Sequence, residues 1–445
     1  MENQLDLSSS VIKEGYCIGC GVCSVVEDSP FIMELNENGE FVAKAVLNIK
    51  ESPEITGLCP FSNQSPNEDE IANELFEGRK DSNIGFFQSL YAGHVSKGDY
   101  RSKGSSGGTV TWLLGKLLSE NEIDAVIHVK DGKSGLYEYG ISTTLEEIQD
   151  NSKSKYYPVT FSNVLREIDF QKRYAVVGVP CFITSLRLLA KSDLRFKKAL
   201  KFHISLVCGH FKSEMFTKYI ASAMNLDLEE VQNFDYRVKI PNKPANKYGM
   251  RATSGKGKET FMQNESIYGL NWGYGLFKYK ACDFCDDVMG ETADITIGDA
   301  WLPKYIEDHR GTNILVIRNS FLRDLIERNI GTELVYDELT PQDIYNSQSG
   351  GFRHRHNGLS FRLYIYKLFG KWTPKKRVQA SLNNTSFRQK MIILIRLRLR
   401  GLSRQHSNSF SRLKRRSKPY VFVYFIFHKL GLRALINVTK RILRK

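Results

Sequence analysis

Cys17, Cys20 and Cys23 stand at even two-residue intervals, and a lone Cys59-Pro60 follows far downstream. No other feature restricts the fold so tightly. Three thiolates this closely spaced wrap one side of a 4Fe–4S cubane while a fourth arrives from a remote turn. Zinc sites instead take their cysteines as two separated pairs, each gripping one side of a tetrahedron. Where two clusters share paired runs, each run carries a further Cys that serves the other cluster. Here the position four after Cys23 is Glu27, so this segment is built for one cluster.

At 445 residues the chain has room for two or three domains. Eight cysteines in a chain of this length and cytosolic character argue for metal ligation rather than disulfides. Met1 to Ser10 is polar, which fits no secretory leader. The strongly apolar runs Met391–Ile395 and Tyr420–Phe427 are too short to span a bilayer. The expected location is cytoplasmic, at most peripheral at the inner face of the membrane. The net charge of +14 hides a division. Of the 63 Lys and Arg, 25 follow Asp343, the last acidic residue; up to that point 38 cations face 49 anions, a net of −11. An acidic body precedes a wholly basic end.

The expected class is α/β (α+β overall), in four parts. Residues 1–65 form a small ferredoxin-like 4Fe–4S domain, with a hairpin over Phe31–Val46 turning at Asn38-Gly39. Residues 66–85 read as a linker with one amphipathic helix near Ile71–Phe76. Residues 86–350 alternate in period: strands at Ser89–Val95, Ile123–Val129, Arg173–Val177, Phe202–Val207, Ile295–Ile297 and Ile314–Ile317. Helices lie between them at Thr109–Glu120, Phe182–Ala190, Ser213–Met224 and Phe321–Arg328, which argues a sheet with parallel neighbours. The Gly- and Tyr-rich stretch Asp235–Tyr279 reads as an antiparallel insertion. Residues 351–445 form a basic amphipathic C-terminal region.

The other four cysteines are Cys181, Cys208, Cys282 and Cys285. Cys181 and Cys208 directly follow expected strands, at the carboxyl ends where open α/β sheets bind ligands. Cys282-x-x-Cys285 supplies a chelating pair from a loop. Buried structural thiols and a zinc pair at Cys282/Cys285 are the competing readings. Taken together, beside the N-terminal run, the four favour a second 4Fe–4S cluster. The run Arg101-Ser102-Lys103-Gly104-Ser105-Ser106-Gly107-Gly108 leads from a strand into an apolar helix. Ser105 or Ser106 can cap that helix, and glycines let a ligand approach its free N–H groups, which suits a dinucleotide pyrophosphate. The spacing fits neither Gly-x-Gly-x-x-Gly nor a P-loop, and a plain turn is the competing reading. Lys103 and Lys155 are candidates for phosphate or flavin-ring contacts, against ordinary solvated lysines. Asp299 either faces the site or caps; His210 either tunes the neighbouring Cys208 or only hydrogen-bonds.

The combined pattern resembles the beta subunit family of coenzyme F420 (deazaflavin) hydrogenases and dehydrogenases. The pieces that carry it are the Cys17/Cys20/Cys23 run with Cys59-Pro60, Ser106-Gly107-Gly108-Thr109-Val110-Thr111, Lys155-Tyr156 and Gly178-Val179-Pro180-Cys181. They continue with Cys208-Gly209-His210, Cys282-Asp283-Phe284-Cys285 and Ala293-Asp294-Ile295-Thr296-Ile297-Gly298-Asp299-Ala300-Trp301, in order from about residue 10 to about residue 350. The resemblance implies an oxidoreductase with FAD at Lys103, Ser106, Gly107, Gly108, Thr109 and Lys155, and two 4Fe–4S clusters on the eight cysteines. Electrons would enter at the N-terminal cluster, pass the second and reach the flavin, or run the reverse way. Implied partners are ferredoxin or another electron-transfer protein and a small-molecule substrate, deazaflavin-like or other. An electron-relay subunit without its own substrate, and a zinc-binding membrane-surface adaptor, are the alternatives. The basic end has no counterpart in the family pattern. Its cations interleaved with Leu, Ile, Phe and Tyr, including Lys440-Arg441-Ile442-Leu443-Arg444-Lys445, suit an anionic membrane surface first and nucleic acid second; a solvated tail or one docked on the acidic body are the plainer readings.

Overall fold

The computed structural model describes residues 6–46, 50–133 and 135–430. Near the N-terminus β1 (Phe31–Leu35) and β2 (Phe41–Ala45) pair antiparallel, with Leu35 opposite Phe41. Asn36 makes the turn: its Oδ1 accepts from Asn38 N at 2.9 Å and Glu40 N at 3.1 Å. The helix Glu68–Leu75 follows, begun by a capping box between Asn67 and Glu70. A short ribbon of β3 (Arg79–Asp81) and β4 (Gly85–Phe87) comes next. Residues 66–85 therefore carry structure of their own and bury Glu68, Ile71 and Ile84.

The body contributes β5 (Ser89–Val95), β6 (Ala125–Asp131), β7 (Tyr137–Ser142), β8 (Tyr174–Gly178) and β9 (Leu200–Leu206). A separate antiparallel sheet holds β10 (Val231–Val238), β11 (Gly249–Ser254) and β12 (Glu259–Gln263), as expected for the insertion. The last strands are β13 (Ile295–Asp299), β14 (Asn313–Ile317) and β15 (Leu334–Glu338). Eight strands form one sheet in the order β15-β5-β14-β13-β9-β8-β6-β7. Parallel pairing holds for the centre, β13-β9-β8-β6. Both flanks are antiparallel. At β7 the cause is plain: the connection 132–136 is too short for a helical crossover. β8 and β14 are buried at every position, because helices cover both faces of the sheet. The helix Thr109–Ser119 packs Trp112, Leu113 and Leu117 on one face, and Pro180–Ser192 packs Phe182, Ile183 and Leu186 on the other.

Because β14 opposes both β13 and β5, strands β5, β13, β9, β8 and β6 all run the same way. Their carboxyl ends therefore meet along one edge, the usual ligand-binding edge of such a sheet.

The basic end is folded onto this body through the helices Ser349–Arg355, Asn357–Leu368, Phe387–Gln405 and Phe410–Phe425. Its cations meet body carboxylates that are distant in sequence. Arg377 grips Glu291 with two contacts of 2.8 Å. Arg400 Nε stands 2.8 Å from Asp283, and Arg404 stands 3.2 Å from Glu40. The docked reading is thus the one realised by the described residues. The Lys440–Lys445 stretch lies outside them. No described helix is long and apolar enough to cross a membrane.

Candidate functional site

Cys17, Cys20, Cys23 and Cys59 line one small cavity of about 20 Å³, closed by Val11, Ile18, Met33 and Leu58. Gly19 and Gly21, between the first cysteines, hold φ of +74° and +84°. A Cβ on Gly21 would stand 2.2 Å from Thr160 Oγ1 and 2.8 Å from Ser162 N, so the loop also presses on the body. Ala43 N donates to Cys17 Sγ at 3.4 Å. Backbone N–H groups of Val22 and Phe61 serve Cys20 and Cys59. Burial pushes the Cys17 thiol up to about 11. Burial, then the charges of Cys20, Cys17 and Cys59, raises Cys23 well above its ordinary value. Sulfurs gathered this way ionise together only around a cation, so the donor set fits an iron–sulfur cluster.

Cys181 is the second residue of the helix Pro180–Ser192, directly after β8, and Cys208 follows β9. Cys282 and Cys285 come from the turn at Lys280–Asp283 and the residues after it. The Cys181 thiol is raised by burial, then by Cys285, Cys208, Cys282 and Cys20. The structure therefore brings the second expected quartet to one place and sets Cys20 of the first within electrostatic reach. One helical turn from Cys181, Ser185 lies beside Cys20, while its Oγ donates to the Phe182 carbonyl at 2.7 Å. Tyr139, packed on Phe161 at a ring separation of 4.1 Å, feels both Cys181 and Cys20. The first turn of this helix is what the two sets share.

Phe211 N donates to Cys282 Sγ at 3.3 Å. Arg355 Nη1 donates to Cys285 Sγ at 2.7 Å, and its Nη2 to the Cys208 carbonyl at 2.7 Å and the Gly209 carbonyl at 3.1 Å. Burial works against the charge of Arg355, but Cys285, Cys208 and Cys282 outweigh it and hold the guanidinium protonated. This residue lies beyond the boundary at 350, in the region that composition alone set apart. Among the described residues no three His, Cys, Asp or Glu side chains are grouped closely enough to hold a single metal ion.

The carboxyl edge of the sheet opens on a cavity of about 1230 Å³, lined by Ser105, Ser106, Gly108 and Thr109 after β5 and by Cys208 and His210 after β9. The helix Thr109–Ser119 starts at Gly108, with φ +86° and no side-chain cap. Neither expected serine caps it. Ser105 Oγ accepts from Ser154 N at 2.9 Å, and Ser106 Oγ donates to the Thr312 carbonyl at 3.0 Å. Thr109 instead donates its N–H (3.3 Å) and its hydroxyl (2.9 Å) to Asn313 Oδ1, while Asn313 Nδ2 holds the Gly298 carbonyl at 3.0 Å. The glycines answer first to protein packing. A Cβ on Gly107 would stand 2.7 Å from Asn313 Oδ1 and 2.8 Å from the Gly93 carbonyl; one on Gly108 would stand 2.6 Å from the Tyr100 carbonyl. A helix N-terminus without a side-chain cap, on a cavity of this size, fits the phosphates and ring of a dinucleotide.

Of the expected flavin contacts, Ser106, Gly108, Thr109 and Lys155 line the cavity. Gly107 and Lys103 are not among the lining residues; Lys103 is half-exposed and pairs with Asp99 at 2.6 Å. Lys155 is lowered to about 8 by burial, and its Nζ donates to the Ser152 carbonyl at 3.0 Å and to that of Asn151. Asp299, at the end of β13, is held by Arg237 through contacts of 2.9 and 3.2 Å. His210 packs edge-on to Trp272 at 4.4 Å and its Nε2 has no hydrogen-bond partner among the described residues. Lys239 was not singled out by sequence, yet it donates to the Ser106 carbonyl at 2.9 Å and is lowered to about 7 by burial. No spacing marks Asn313, Arg237, Lys239 or Arg355; only the fold brings them in.

Two family descriptions, the N-terminal and C-terminal parts of the coenzyme F420 hydrogenase/dehydrogenase beta subunit, match this chain. The N-terminal part matches residues 90–166 and the C-terminal part residues 171–338, together more than half of the sequence. An uncharacterized protein of Methanocaldococcus jannaschii is 26% identical over 368 residues, spanning 76% of this chain and 93% of that protein. Among solved structures, a chain of the F420-reducing NiFe hydrogenase complex from Methanosarcina barkeri matches with a TM-score of 0.50 and 14% identity, over 67% of this chain and 99% of that one.

Proposed function

The chain belongs to the coenzyme F420 hydrogenase/dehydrogenase beta-subunit family, and from that premise we propose that it is an iron–sulfur flavoprotein oxidoreductase acting on a small organic substrate. The family association with hydrogenase and dehydrogenase activity makes redox chemistry its general role. In this reading Cys17, Cys20, Cys23 and Cys59 hold one 4Fe–4S cluster and Cys181, Cys208, Cys282 and Cys285 a second. FAD takes the cavity at Ser106, Gly108, Thr109 and Lys155. The bound groups supply single-electron transfer at the clusters and two-electron hydride chemistry at the flavin.

One observation carries the reading: Cys20 of one quartet and Cys181 of the other come within electrostatic reach beside the first turn of one helix, and the second quartet reaches the cavity wall at Cys208. A mononuclear zinc site would hold its thiolates about 3.8 Å apart, whereas a cubane keeps them on separated corners. The chain's own residues do three things here. N–H groups of Ala43 and Phe211, with the Arg355 guanidinium, stabilise thiolate charge. Lys239 holds the Ser106 carbonyl at the Ser-Gly-Gly turn, and Arg237 fixes Asp299 at the end of β13. Tyr139, Phe161 and Phe182 exclude water between the quartets.

The named structural neighbour is part of a hydrogenase complex, so a relay role within a larger enzyme is the second reading; the size of the cavity favours a substrate of its own. A ferredoxin or other electron carrier is the proposed redox partner. Membrane contact, if made, falls to the outer side of the helix Phe410–Phe425, where Arg412, Arg415, Arg416 and Lys418 are exposed beside Phe422 and Phe425.

Anaerobic purification with quantitation of iron, sulfide and flavin tests the proposal. The expected content is about eight iron, eight sulfide and one FAD per chain. Zinc in place of iron, or a colourless protein, contradicts it. Turnover of a small acceptor without any partner protein separates the enzyme from the relay.

A further inference from the structure

The helices that follow residue 368 line the cavity as well as the body does. Thr385, Gln389, Ile392, Arg396 and Tyr424 all face it. These positions lie outside the matched family segments, which end at residue 338. Tyr424 is keyed into the wall: a Cβ on Gly273 would stand 2.3 Å from its Oη. The C-terminal region is therefore a wall of the site and not an appendage to it.

Arg396 is the anomaly in that wall. The other enclosed cations of the region have acceptors: Arg355 holds Cys285 and the carbonyls of Cys208, Gly209 and Asp287, Arg362 the Asp283 carbonyl, Arg377 Glu291 and Arg400 Asp283. Arg396 Nε is buried without a partner, and no hydrogen bond or ion pair of its guanidinium occurs among the described residues. The nearest carboxylate, Asp283, is already engaged by Lys278 and Arg400. Around Arg396 the other charge-bearing groups are basic: His210, Lys212, Lys278 and His354, with the Tyr424 phenol on the same side. Among the described residues Lys212 donates only to the Leu276 carbonyl, and it lies over the Trp272 ring at 4.7 Å.

An enclosed lysine or histidine can shed its proton; a guanidinium cannot. Arg396 is partly buried, with only its Nε sealed off, so the rest of its fork faces the cavity without a protein acceptor among the described residues and is free to take an anion. The cavity, at about 1230 Å³, also exceeds the roughly 300–1,000 Å³ typical for one ligand. We propose that Arg396 anchors an oxyanion, carboxylate or phosphate, of the small substrate at the end of the cavity walled by the C-terminal helices, so that this region selects what the redox site acts on. The proposal rests on the flavin-site reading above for the rest of the cavity. A planar fork suits both oxyanions, and the Lys212 and His210 side chains add hydrogen-bonding capacity beside it.

The test uses anaerobically purified full-length protein titrated by calorimetry with inorganic phosphate and, separately, with acetate. Wild type is expected to bind at least one of the two. Arg396→Gln is expected to weaken that binding about tenfold to a hundredfold, and Arg396→Lys by less. The arm that binds identifies the oxyanion. Equal affinity in wild type and Arg396→Gln, or no binding of either anion to wild type, overturns the proposal. Wild-type crystals soaked in selenate give a check that needs no variant. An anomalous peak within hydrogen-bond reach of the Arg396 guanidinium supports the site, and its absence overturns it. Flavin content is measured on the same samples. Arg396-dependent binding in protein lacking flavin would sink the flavin reading and leave the anion site standing.

Discussion

At Gly107 the missing side chain is a packing requirement. Any Cβ there meets Asn313 Oδ1 at 2.7 Å and the Gly93 carbonyl at 2.8 Å, both part of the sheet edge. Gly107→Ala should cost about 1–3 kcal/mol in chemical denaturation and lower the flavin content, because the start of the next helix must move. Unchanged stability with full flavin would separate the turn from the site. At Arg355 the requirement is electronic. Its Nη1–H bond to Cys285 Sγ and its positive charge would both favour the more negative, reduced form of the cluster proposed there. Arg355→Lys removes the forked donor while keeping a charge. In an EPR-monitored redox titration the midpoint of one cluster should move to more negative potential and the other stay in place. Equal shifts in both, or none, would remove Arg355 from the second site. The gathering of the cysteines into two sets was legible in the sequence because their spacing is local at Cys17–Cys23 and strand-terminal at Cys181 and Cys208. Arg355 was not, since a single arginine in an arginine-rich stretch carries no pattern.

The helix Thr109–Ser119 shows how an element is held far from the chemistry it serves. Glu333 accepts from Trp112 Nε1 at 2.7 Å and pairs with Lys116 at 3.1 Å and Lys97 at 2.7 Å. Burial would raise its carboxyl, but donors from Lys97, Trp112 and Lys116 overcome that and hold it at about 2. A carboxyl depressed in the folded state stabilises above its unfolded value near 4.3 and loses that contribution as pH falls toward 2. Glu333→Gln should therefore lose roughly 1–2 kcal/mol at pH 7. The gap to wild type should narrow below about pH 4.5, as followed by denaturation at stepped pH. A gap independent of pH would mean the loss is not electrostatic. Each strand expected from periodicity is present, whereas β7 and β15 were not foreseen. They are the two ends of the sheet, and β15 shows solvent Val335, Asp337 and Glu338, so neither carries a continuous apolar run. The serine caps also failed to form, because Ser105 and Ser106 found partners across the fold that local sequence cannot display.

Across the whole molecule the charge division became a docking surface. The net of −11 up to Asp343 and the 25 cations after it state complementarity. They do not state that Asp283 and Glu291, beside the second cysteine set, are where Arg400 and Arg377 land. Chain separation hides such pairs, and only tertiary structure reveals that the basic end closes the cavity. Apart from that closure, Cys20 of one quartet and Cys181 of the other lie within electrostatic reach beside the helix Pro180–Ser192. If the proposed clusters occupy both quartets, they would lie near enough to couple magnetically. The decisive measurement is EPR of the chemically reduced, anaerobically purified full-length protein beside its Cys282→Ser variant, with iron quantified in both. The expected wild-type spectrum is that of two interacting 4Fe–4S centres, and the variant should retain about half the iron and a simple spectrum from one uncoupled centre. Two centres without interaction, or full iron and an unaltered spectrum in the variant, would contradict paired clusters at these eight cysteines.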